Sequence, residues 1–280
     1  MAAEHSQPVT NAGLLRAAKV ELAAVSDSPA LDAELLLAFA TGRSRASLLA
    51  YPDRTIGRGS AKKFAALVLR RSRGEPMAYL LGRREFYTVD LRVDSAVLVP
   101  RPETELLVEA ALYLYPGTML DVGTGSGAIA LAVKSELDDV EVTGVDVSAA
   151  ALAVAQRNGA ELGLPVRWLE SSWFSAVADE RFDVIVSNPP YVRSAEVVGA
   201  LAHEPRLALD GGADGLDAYR VLLAQSLAHL HAGGRLLLEH GAGQRDAIVL
   251  LAGANGLRVV RAMDDPAGRP RVLELERAWP

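Results

Sequence analysis

The sequence of 280 residues contains no cysteine. The chain therefore forms no disulfide, holds no zinc or iron–sulfur cluster through cysteine, and has no thiolate nucleophile. It also lacks any run of about 18 apolar residues, so we expect no transmembrane helix. Its start shows no basic segment followed by an apolar stretch, so we expect no secretory signal and a cytoplasmic location.

Histidine and net positive charge are also scarce. The five histidines are scattered without the spacing of metal ligands, so no metal site is expected. The formal net charge of −6 argues against a chain that coats nucleic acid. With 50% hydrophobic and 23% charged residues, the composition is that of a globular protein. The length fits about two domains of roughly 150 residues each.

Charge is distributed unevenly along the chain. Residues 1–84 contain 13 Lys or Arg and 7 Asp or Glu, whereas residues 85–280 contain 16 and 28. This shift predicts a domain boundary near residue 85. Several arginines cluster at the end of the basic lobe: Arg70, Arg71, Arg73, Arg83 and Arg84. Singly they indicate a solvated face, whereas the lobe as a whole could dock an acidic protein or nucleic acid.

Hydrophobic spacing predicts helices in the first lobe and alternating strands and helices after it. We expect helices over residues 14–22, 31–40 and 60–73, followed by a β-hairpin over residues 85–99. From residue 101 we expect strands at 118–122, 140–145, 166–169, 182–187, 235–239, 257–263 and 271–276, and helices near 101–115, 128–137, 148–162, 217–231 and 243–254. This alternation predicts an α/β fold with a mostly parallel sheet, and the short last loop predicts an antiparallel final strand pair.

A glycine-rich segment follows the first strand of this second region. It consists of Gly123, Thr124, Gly125, Ser126 and Gly127, and an Ala- and Leu-rich helix comes directly after it. Glycine lets the backbone turn sharply and approach a ligand closely. Asp146 ends the next strand, where its carboxylate can accept hydrogen bonds from both hydroxyls of a ribose. The segment alone fits two ligands, NAD or S-adenosylmethionine (AdoMet).

The fourth strand of the second region runs directly into Asn188-Pro189-Pro190-Tyr191. Ligands of open α/β sheets bind beyond the carboxyl ends of the strands, so Asn188 is expected beside the cofactor. Asn188 offers a side-chain carbonyl and Pro189 a backbone carbonyl, and Pro190 stiffens the turn because its φ is fixed. Two converging acceptors suit a planar NH₂ group, and Tyr191 can lie against it. A simple turn at a strand exit is the alternative.

Together, the loop and this tetrapeptide resemble the AdoMet-dependent methyltransferases that modify planar nitrogens. Longer motifs are similar to those of the bacterial peptide chain release factor N5-glutamine methyltransferases. They are Gly82-Arg83-Arg84-Glu85-Phe86-Tyr87, Val97-Leu98-Val99-Pro100-Arg101-Pro102-Glu103-Thr104-Glu105, His203-Glu204-Pro205-Arg206-Leu207-Ala208-Leu209, Gly211-Gly212-Ala213-Asp214-Gly215-Leu216 and Leu238-Glu239-His240-Gly241. The resemblance extends from the helical first lobe almost to the C-terminus.

The resemblance implies a seven-stranded, Rossmann-like AdoMet-dependent methyltransferase domain over residues 85–280. A small helical domain over residues 1–84 would recognise the substrate, and a hairpin over residues 85–100 would join the two. The cofactor would be AdoMet, and S-adenosylhomocysteine would be the product formed from it. Class I release factors would be the protein substrate, methylated on the glutamine of their Gly-Gly-Gln loop.

The same resemblance implies roles for individual residues. The loop from Gly123 to Gly127 would cradle AdoMet, Asp146 would hold its ribose, and Trp173 would contact adenine. Asn188, Pro189, Pro190 and Tyr191 would bind the substrate glutamine, with Asn188 also beside the cofactor. A core aromatic is the alternative interpretation of Trp173. The segment from Arg101 to Thr104 is interpreted as a helix start and receives no catalytic role.

Other functions remain open from the sequence. A glutamine methyltransferase of a ribosomal protein would need the same amide-binding site. A nucleic-acid N6-adenine methyltransferase would also bind an NH₂ group, but it would need a salt-sensitive affinity for nucleic acid that the net charge of −6 does not favour. A non-catalytic nucleotide-binding adaptor would bind the cofactor without transferring a group. No stable nucleic-acid or membrane partner is expected.

Overall fold

The computed structural model describes residues 10–278, and the chain divides into two compact units, Met1–Gly82 and Arg83–Pro280. The described part of the first unit consists of helices. They are α1 (Asn11–Leu22), α2 (Pro29–Thr41), α3 (Arg45–Ala50), α4 (Arg58–Ser72) and α5 (Met77–Leu81). The three helices expected from hydrophobic spacing are confirmed as α1, α2 and α4, whereas the short α3 and α5 were not predicted.

The helices of the first unit bury their own apolar core. Leu22 of α1, Leu36 and Leu37 of α2 and Phe64 of α4 are at most 2% exposed. Thr10 caps α1 by accepting a hydrogen bond from the amide of Gly13 at 3.2 Å. Because these side chains recur at helical spacing, each helix turns one apolar face inward and leaves its polar face to solvent.

The second unit opens with a hairpin, β1 (Arg83–Phe86) and β2 (Val89–Arg92), and continues as an α/β fold. The hairpin begins two residues earlier and ends seven residues earlier than the expected span of 85–99. The main strands are β3 (Thr118–Val122), β4 (Glu141–Asp146), β5 (Arg167–Glu170), β6 (Phe182–Ser187), β7 (Leu230–Glu239), β8 (Leu257–Asp264) and β9 (Pro270–Arg277). The α-helices are α6 (Glu105–Leu114), α7 (Ala128–Glu136), α8 (Ala149–Leu162), α9 (Asp217–Ser226) and α10 (Arg245–Ala254). Short 3₁₀ turns occupy Pro102–Thr104, Ser175–Val177, Ser194–Glu196, Gly199–His203 and Arg206–Ala208.

The seven main strands form one sheet in the order β5-β4-β3-β6-β7-β9-β8. Strands β3 to β7 pair in parallel, whereas β9 is antiparallel to both β7 and β8. Successive residues of a strand face opposite sides, so Met119 packs into one core cluster and Leu120 into the other. The predicted mostly parallel sheet and the antiparallel final pair are confirmed.

One predicted element is wrong at its end. The helix expected over residues 217–231 stops at Ser226, and β7 already begins at Leu230. The ring of His229 stacks on that of Phe174 with 4.6 Å between centroids. The backbone carbonyl of His229 accepts a hydrogen bond from the amide of Phe182 at 2.9 Å. These long-range contacts draw the segment into the sheet although its sequence favours a helix.

The sheet order also determines where polar side chains meet. Chain order reverses between β3 and β6. Strands β4 and β5 lie on one side of β3, whereas β6 and β7 lie on its other side. A crevice forms at such a reversal beyond the carboxyl ends of the strands. The glycine-rich loop follows β3, Asp146 ends β4, and Asn188 follows β6. Among residues 10–278, no helix has both the length and the apolar character needed to cross a bilayer.

Candidate active site

A cavity of about 340 Å³ lies at the carboxyl ends of β3, β4 and β6. This volume is within the range of small-molecule binding sites, which are about 300–1,000 Å³. Most of the residues predicted for the site line it: Gly123, Thr124, Gly125, Ser126, Asp146, Trp173, Asn188, Pro189 and Pro190. Gly127 and Tyr191 are not among the lining residues. The fold thus assembles the predicted site from segments that are up to 67 residues apart in the numbering, Gly123 to Pro190.

The glycines of the loop after β3 serve two different purposes. Gly123 has φ +77° and Gly125 has φ +56°, and no atom lies within 4 Å of a Cβ built on either. Their backbone can therefore be approached closely from the cavity. A Cβ on Gly127, which has φ +81°, would lie 2.8 Å from the Trp168 ring. Gly127 thus allows close packing between the following helix and the sheet.

The Asp146 carboxylate is fixed by backbone amides at the end of β4. Its Oδ2 accepts a hydrogen bond from the amide of Gly125 at 2.9 Å, and Oδ1 accepts one from the amide of Ser148 at 2.9 Å. Burial raises the pKa of Asp146, and these backbone hydrogen bonds oppose that effect. A carboxylate has about four acceptor positions, so lone pairs remain for a ligand that carries two hydroxyls.

A second carboxyl group, that of Asp121 in β3, contacts the glycine-rich loop. Asp121 is fully buried, and its Oδ2 accepts a hydrogen bond from the Thr124 hydroxyl at 2.6 Å. Burial raises the pKa of Asp121 to about 7, and the Thr124 hydroxyl acts in the opposite direction. The Thr124 side chain, which lines the cavity, is therefore held by Asp121. Asp121 is the first residue of an Asp-x-Gly-x-Gly-x-Gly pattern, but the sequence did not indicate that it would bind Thr124.

Asn188 enters the cavity at the end of β6 in a defined orientation. Its Nδ2 donates a hydrogen bond to Oγ1 of Thr104 at 3.0 Å, and no described residue donates to its Oδ1. Pro189 is buried and lines the same cavity. The preceding Ser187 donates its hydroxyl to the carbonyl of Val122 at 2.7 Å, which ties β6 to β3 at this point. The side-chain carbonyl of Asn188 is thus available as an acceptor.

Tyr191 lies behind the cavity wall. Its hydroxyl donates a hydrogen bond to Oε1 of Glu239 at 3.3 Å, and its backbone carbonyl accepts one from Nε2 of Gln244 at 3.0 Å. Burial and the nearby Glu239 carboxylate raise the pKa of Tyr191. The ring packs against the apolar core on that side of the sheet. The expected contact of Tyr191 with a flat substrate group stays a prediction.

Trp173 combines the two interpretations that the sequence left open. Its side chain lines the cavity and also packs against the core of residues around β6 and β7. The residue has φ +56°, a left-handed conformation that is uncommon outside glycine. Ser171 supports this turn by donating its hydroxyl to the carbonyl of Trp173 at 2.9 Å.

An ion pair closes another side of the cavity. Arg101, which lines it, pairs with Glu204, and Glu204 also accepts a hydrogen bond from the amide of Val99 at 3.0 Å. Glu204 is only 8% exposed. The pair joins the segment before α6 to the 3₁₀ turns that follow β6, including the lining residues Pro205 and Leu207. Both residues lie in motifs noted in the sequence, but no pattern predicted that they would pair.

The carboxyl group of Glu239, at the end of β7, lies in a sequence motif to which no role in the site was assigned. Glu239 is 1% exposed, and burial raises its pKa to about 7. The hydroxyls of Thr104 and Tyr191 and the charge of Arg271 lower that pKa. Thr104, itself 4% exposed, binds Asn188 and lies near Glu239. Among the described residues there is no group of three or more His, Asp or Glu placed to hold a metal.

Comparison with known proteins identifies the family of this fold and site. A family model described as a methyltransferase small domain matches residues 101–245, and the PrmC N-terminal domain model matches residues 13–82. A release factor glutamine methyltransferase of Xylella fastidiosa (strain Temecula1) is 46% identical over 250 residues, which are 86% of this chain and 91% of the relative. The chain belongs to the release factor glutamine methyltransferase family.

Other relatives agree with this assignment, and one solved structure shares the fold. A release factor glutamine methyltransferase of Coxiella burnetii is 40% identical and covers 92% of this chain and 95% of its own. One of Salmonella typhimurium is 42% identical, covering 88% and 92%. The crystal structure of a methyltransferase from Pyrococcus furiosus superposes with a TM-score of 0.55 at 21% identity, over 69% of this chain and 91% of that one. That likeness concerns the fold, and it confirms the predicted methyltransferase architecture.

The cofactor of this release factor glutamine methyltransferase family member is AdoMet, so the NAD interpretation is set aside. The cavity fits such a group in three respects. Gly123 and Gly125 leave open space where side chains would otherwise stand, Asp146 keeps acceptor positions free for two hydroxyls, and the volume of about 340 Å³ suits a molecule of this size.

Proposed function

We propose that this enzyme methylates the side-chain amide nitrogen (N5) of the glutamine in the Gly-Gly-Gln loop of class I peptide chain release factors. The observation that supports it best is the Asn188 carbonyl, which is available in the same cavity as Asp146 while the Asn188 NH₂ group is bound by Thr104. The names of relatives at 40–46% identity point to the same substrate. Release factors act with ribosomes, so this proposal assigns the enzyme to the cytoplasm.

At one end of the cavity, the chain binds and orients the cofactor. Gly123 and Gly125 let the backbone approach the ligand, Asp146 accepts hydrogen bonds from the ribose hydroxyls, and Trp173 offers its ring to the adenine. Bound AdoMet supplies a methyl group activated by its positive sulfonium. The residues of this end hold that group in place and contribute no reacting atom.

At the substrate end, Asn188 and Pro189 orient the nucleophile. An amide nitrogen reacts poorly because its lone pair is delocalised into the carbonyl. Two carbonyl acceptors that bind the two N–H groups direct the nitrogen toward the methyl group, and such positioning can contribute several kcal/mol. The acceptors bind these N–H groups more strongly as positive charge develops on nitrogen, which stabilises the transition state selectively.

The final proton transfer needs no strong base. Among the described residues that line the cavity, the ionisable side chains are Arg101 and Asp146, and Asp146 is committed to the ribose in this proposal. An N-protonated amide is a strong acid and loses its proton to water. The chain therefore has to position the nitrogen but does not have to deprotonate it beforehand.

Labelling in an extract tests the substrate class. The enzyme is incubated with radiolabelled AdoMet and a cytosolic extract from cells that lack it, and half of the sample is treated with nuclease. We expect the label on a protein of the size of a release factor, with no loss after nuclease. Label on nucleic acid would favour the N6-adenine alternative, and label on a ribosomal protein would favour the other glutamine methyltransferase.

The first unit is proposed to recognise the release factor outside the cavity. Part of the predicted arginine cluster is neutralised within its own unit, because Arg70 pairs with Glu75 and Arg71 pairs with Asp32. Other cations are exposed and form no ion pair with a described residue: Arg16, Lys19, Arg58 and Lys62. Arg58 and Lys62 are four residues apart on α4 and so share one face of that helix. This face is the better candidate for electrostatic docking.

Reversing two charges on α4 tests this role. The double variant Arg58→Glu/Lys62→Glu should lower kcat/KM for a full-length release factor by about tenfold at low salt, because charge complementarity acts mainly on association. The loss should shrink as salt rises. Calorimetry should give an unchanged Kd for AdoMet, and methylation of a short Gly-Gly-Gln peptide should be unaffected.

The exposed Arg245 on α10 provides the control, since Arg245→Glu reverses a charge in the second unit. We expect this variant to behave like wild type on both substrates. The net charge changes by −4 in the α4 double variant and by −2 in Arg245→Glu, so a loss in Arg245→Glu half as large on a logarithmic scale would mean that only net charge matters. An unchanged kcat/KM in the α4 double variant would contradict the role of this face.

A further inference from the structure

Polar side chains extend from the cavity toward the core: Asn188 and Thr104 line the cavity, and Glu239 and Tyr191 follow. Nδ2 of Asn188 donates a hydrogen bond to Oγ1 of Thr104 at 3.0 Å, and the Tyr191 hydroxyl donates one to Oε1 of Glu239 at 3.3 Å. Thr104 also lowers the pKa of Glu239, which places these two side chains near each other. Thr104 ends the 3₁₀ turn Pro102–Thr104, 84 residues before Asn188 in the sequence. Thr104 and Glu239 are buried, at 4% and 1% exposure.

The direction of these hydrogen bonds matters for an amide. An asparagine side chain offers an oxygen acceptor and an NH₂ donor of nearly the same shape, so rotation by 180° exchanges them. With Oδ1 toward the cavity, Asn188 accepts from a substrate N–H. With Nδ2 toward the cavity, it would oppose that N–H with a second donor. A wrongly rotated Asn188 would therefore repel the group that it has to bind.

A threonine hydroxyl alone does not determine which rotamer is favoured, since it can donate or accept. The structure shows the arrangement in which Thr104 accepts, since Nδ2 of Asn188 donates to its Oγ1 at 3.0 Å. The Thr104 contact thus holds the amide in one of its two orientations, with Oδ1 left for the cavity. The nearby Glu239 carboxyl favours this arrangement in its ionised form, because a carboxylate only accepts.

We infer that Thr104 is a positioning residue for methyl transfer, which holds the Asn188 amide with its carbonyl toward the substrate nitrogen. This inference rests on the proposed function of Asn188. Thr104 acts through Asn188 and need not touch the reacting atoms. The segment around it, interpreted from the sequence as a helix start without a catalytic role, thereby has a second role.

Thr104→Val tests the inference because valine keeps the shape of threonine and removes the hydroxyl. We expect kcat for methylation of a release factor to fall about tenfold, the effect of losing one hydrogen bond that orients a reacting group. The Kd for AdoMet should stay the same. Thr104→Ser, which restores the hydroxyl, should recover kcat to within about threefold of wild type.

A double-mutant cycle separates positioning from a merely structural effect. In the Asn188→Ala background there is no amide to orient, so Thr104→Val should change the residual rate by less than about twofold. If Thr104 only supported the fold, the tenfold loss would appear in both backgrounds. Thr118→Val is the matched control, because its hydroxyl interacts with Asp183 at 3.1 Å at the opposite end of β3. It should leave kcat unchanged.

The wild-type reaction is measured first, so the two possible failures are distinguishable. A wild-type enzyme that methylates no release factor overturns the proposed function and this inference together. If the wild-type enzyme is active, two results overturn the inference alone. One is a Thr104→Val variant that reacts at the wild-type rate, and the other is a Thr104→Val loss that is equal with and without the Asn188→Ala change. A loss that depends on Asn188 and is recovered by serine supports it.

Discussion

Replacement of Asn188 by alanine should lower the single-turnover rate of methyl transfer to a release factor by about 10²–10³-fold. In the proposed function, the side-chain carbonyl of Asn188 is one of two acceptors that orient the substrate nitrogen, and its NH₂ group binds Thr104 at 3.0 Å. Alanine removes the acceptor and leaves the Pro189 carbonyl alone to orient the nitrogen. The loss should appear in the transfer step, measured by rapid quench with enzyme in excess over the release factor.

Two comparisons make this result specific. Asn188→Asp keeps carboxylate oxygens that accept hydrogen bonds, so it should retain part of the activity that alanine loses. The far-ultraviolet circular dichroism spectrum should change little in either variant, because Asn188 is only partly buried and its loss leaves the fold intact. Transfer at the wild-type rate by the alanine variant would contradict the amide-binding mechanism.

Replacement of Asp146 by alanine should weaken AdoMet binding by about 1.5–3 kcal/mol, or about 10- to 150-fold in Kd. The change removes the charged acceptor proposed for the ribose. It also leaves the amides of Gly125 and Ser148 without the partners that they have at 2.9 Å. Both effects act on cofactor binding, so isothermal titration calorimetry with AdoMet measures them directly.

The exposed Asp139 offers a control of the same chemistry outside the cavity. Asp139→Ala should leave the Kd unchanged. Asp146→Asn keeps one acceptor oxygen and should fall between wild type and alanine. An alanine variant that binds AdoMet as tightly as wild type does would show that Asp146 is not part of the cofactor site.

The features that the sequence predicted best depend on local patterns. Alternating strands and helices, a glycine-rich loop after β3 and the Asn188 tetrapeptide after β6 all lie within short segments, and the parallel sheet brings the ends of those segments together. The two helices that the sequence did not predict also share one cause. Helices α3 and α5 contain six and five residues, too few for a hydrophobic period to be recognised.

The partners of the site residues could not be predicted because they depend on contacts between distant segments. Thr104 and Asn188 are separated by 84 residues, and Val99 and Glu204 by 105. A motif that contains Thr104 or Glu239 does not say which side chain it will contact. The hydrogen bond between the Tyr191 hydroxyl and Glu239 is a further example, because no pattern in the sequence pointed to it. Burial and pairing of this kind follow from packing rather than from spacing.

The most direct test of the proposed activity uses a purified class I release factor and its variant with glutamate in place of the loop glutamine. Both are incubated with this enzyme and AdoMet, and the modified residue is located by mass spectrometry. We expect one added methyl group on the glutamine of the wild-type release factor and none on the glutamate variant. Methylation of both proteins to the same extent, or of neither, would contradict it.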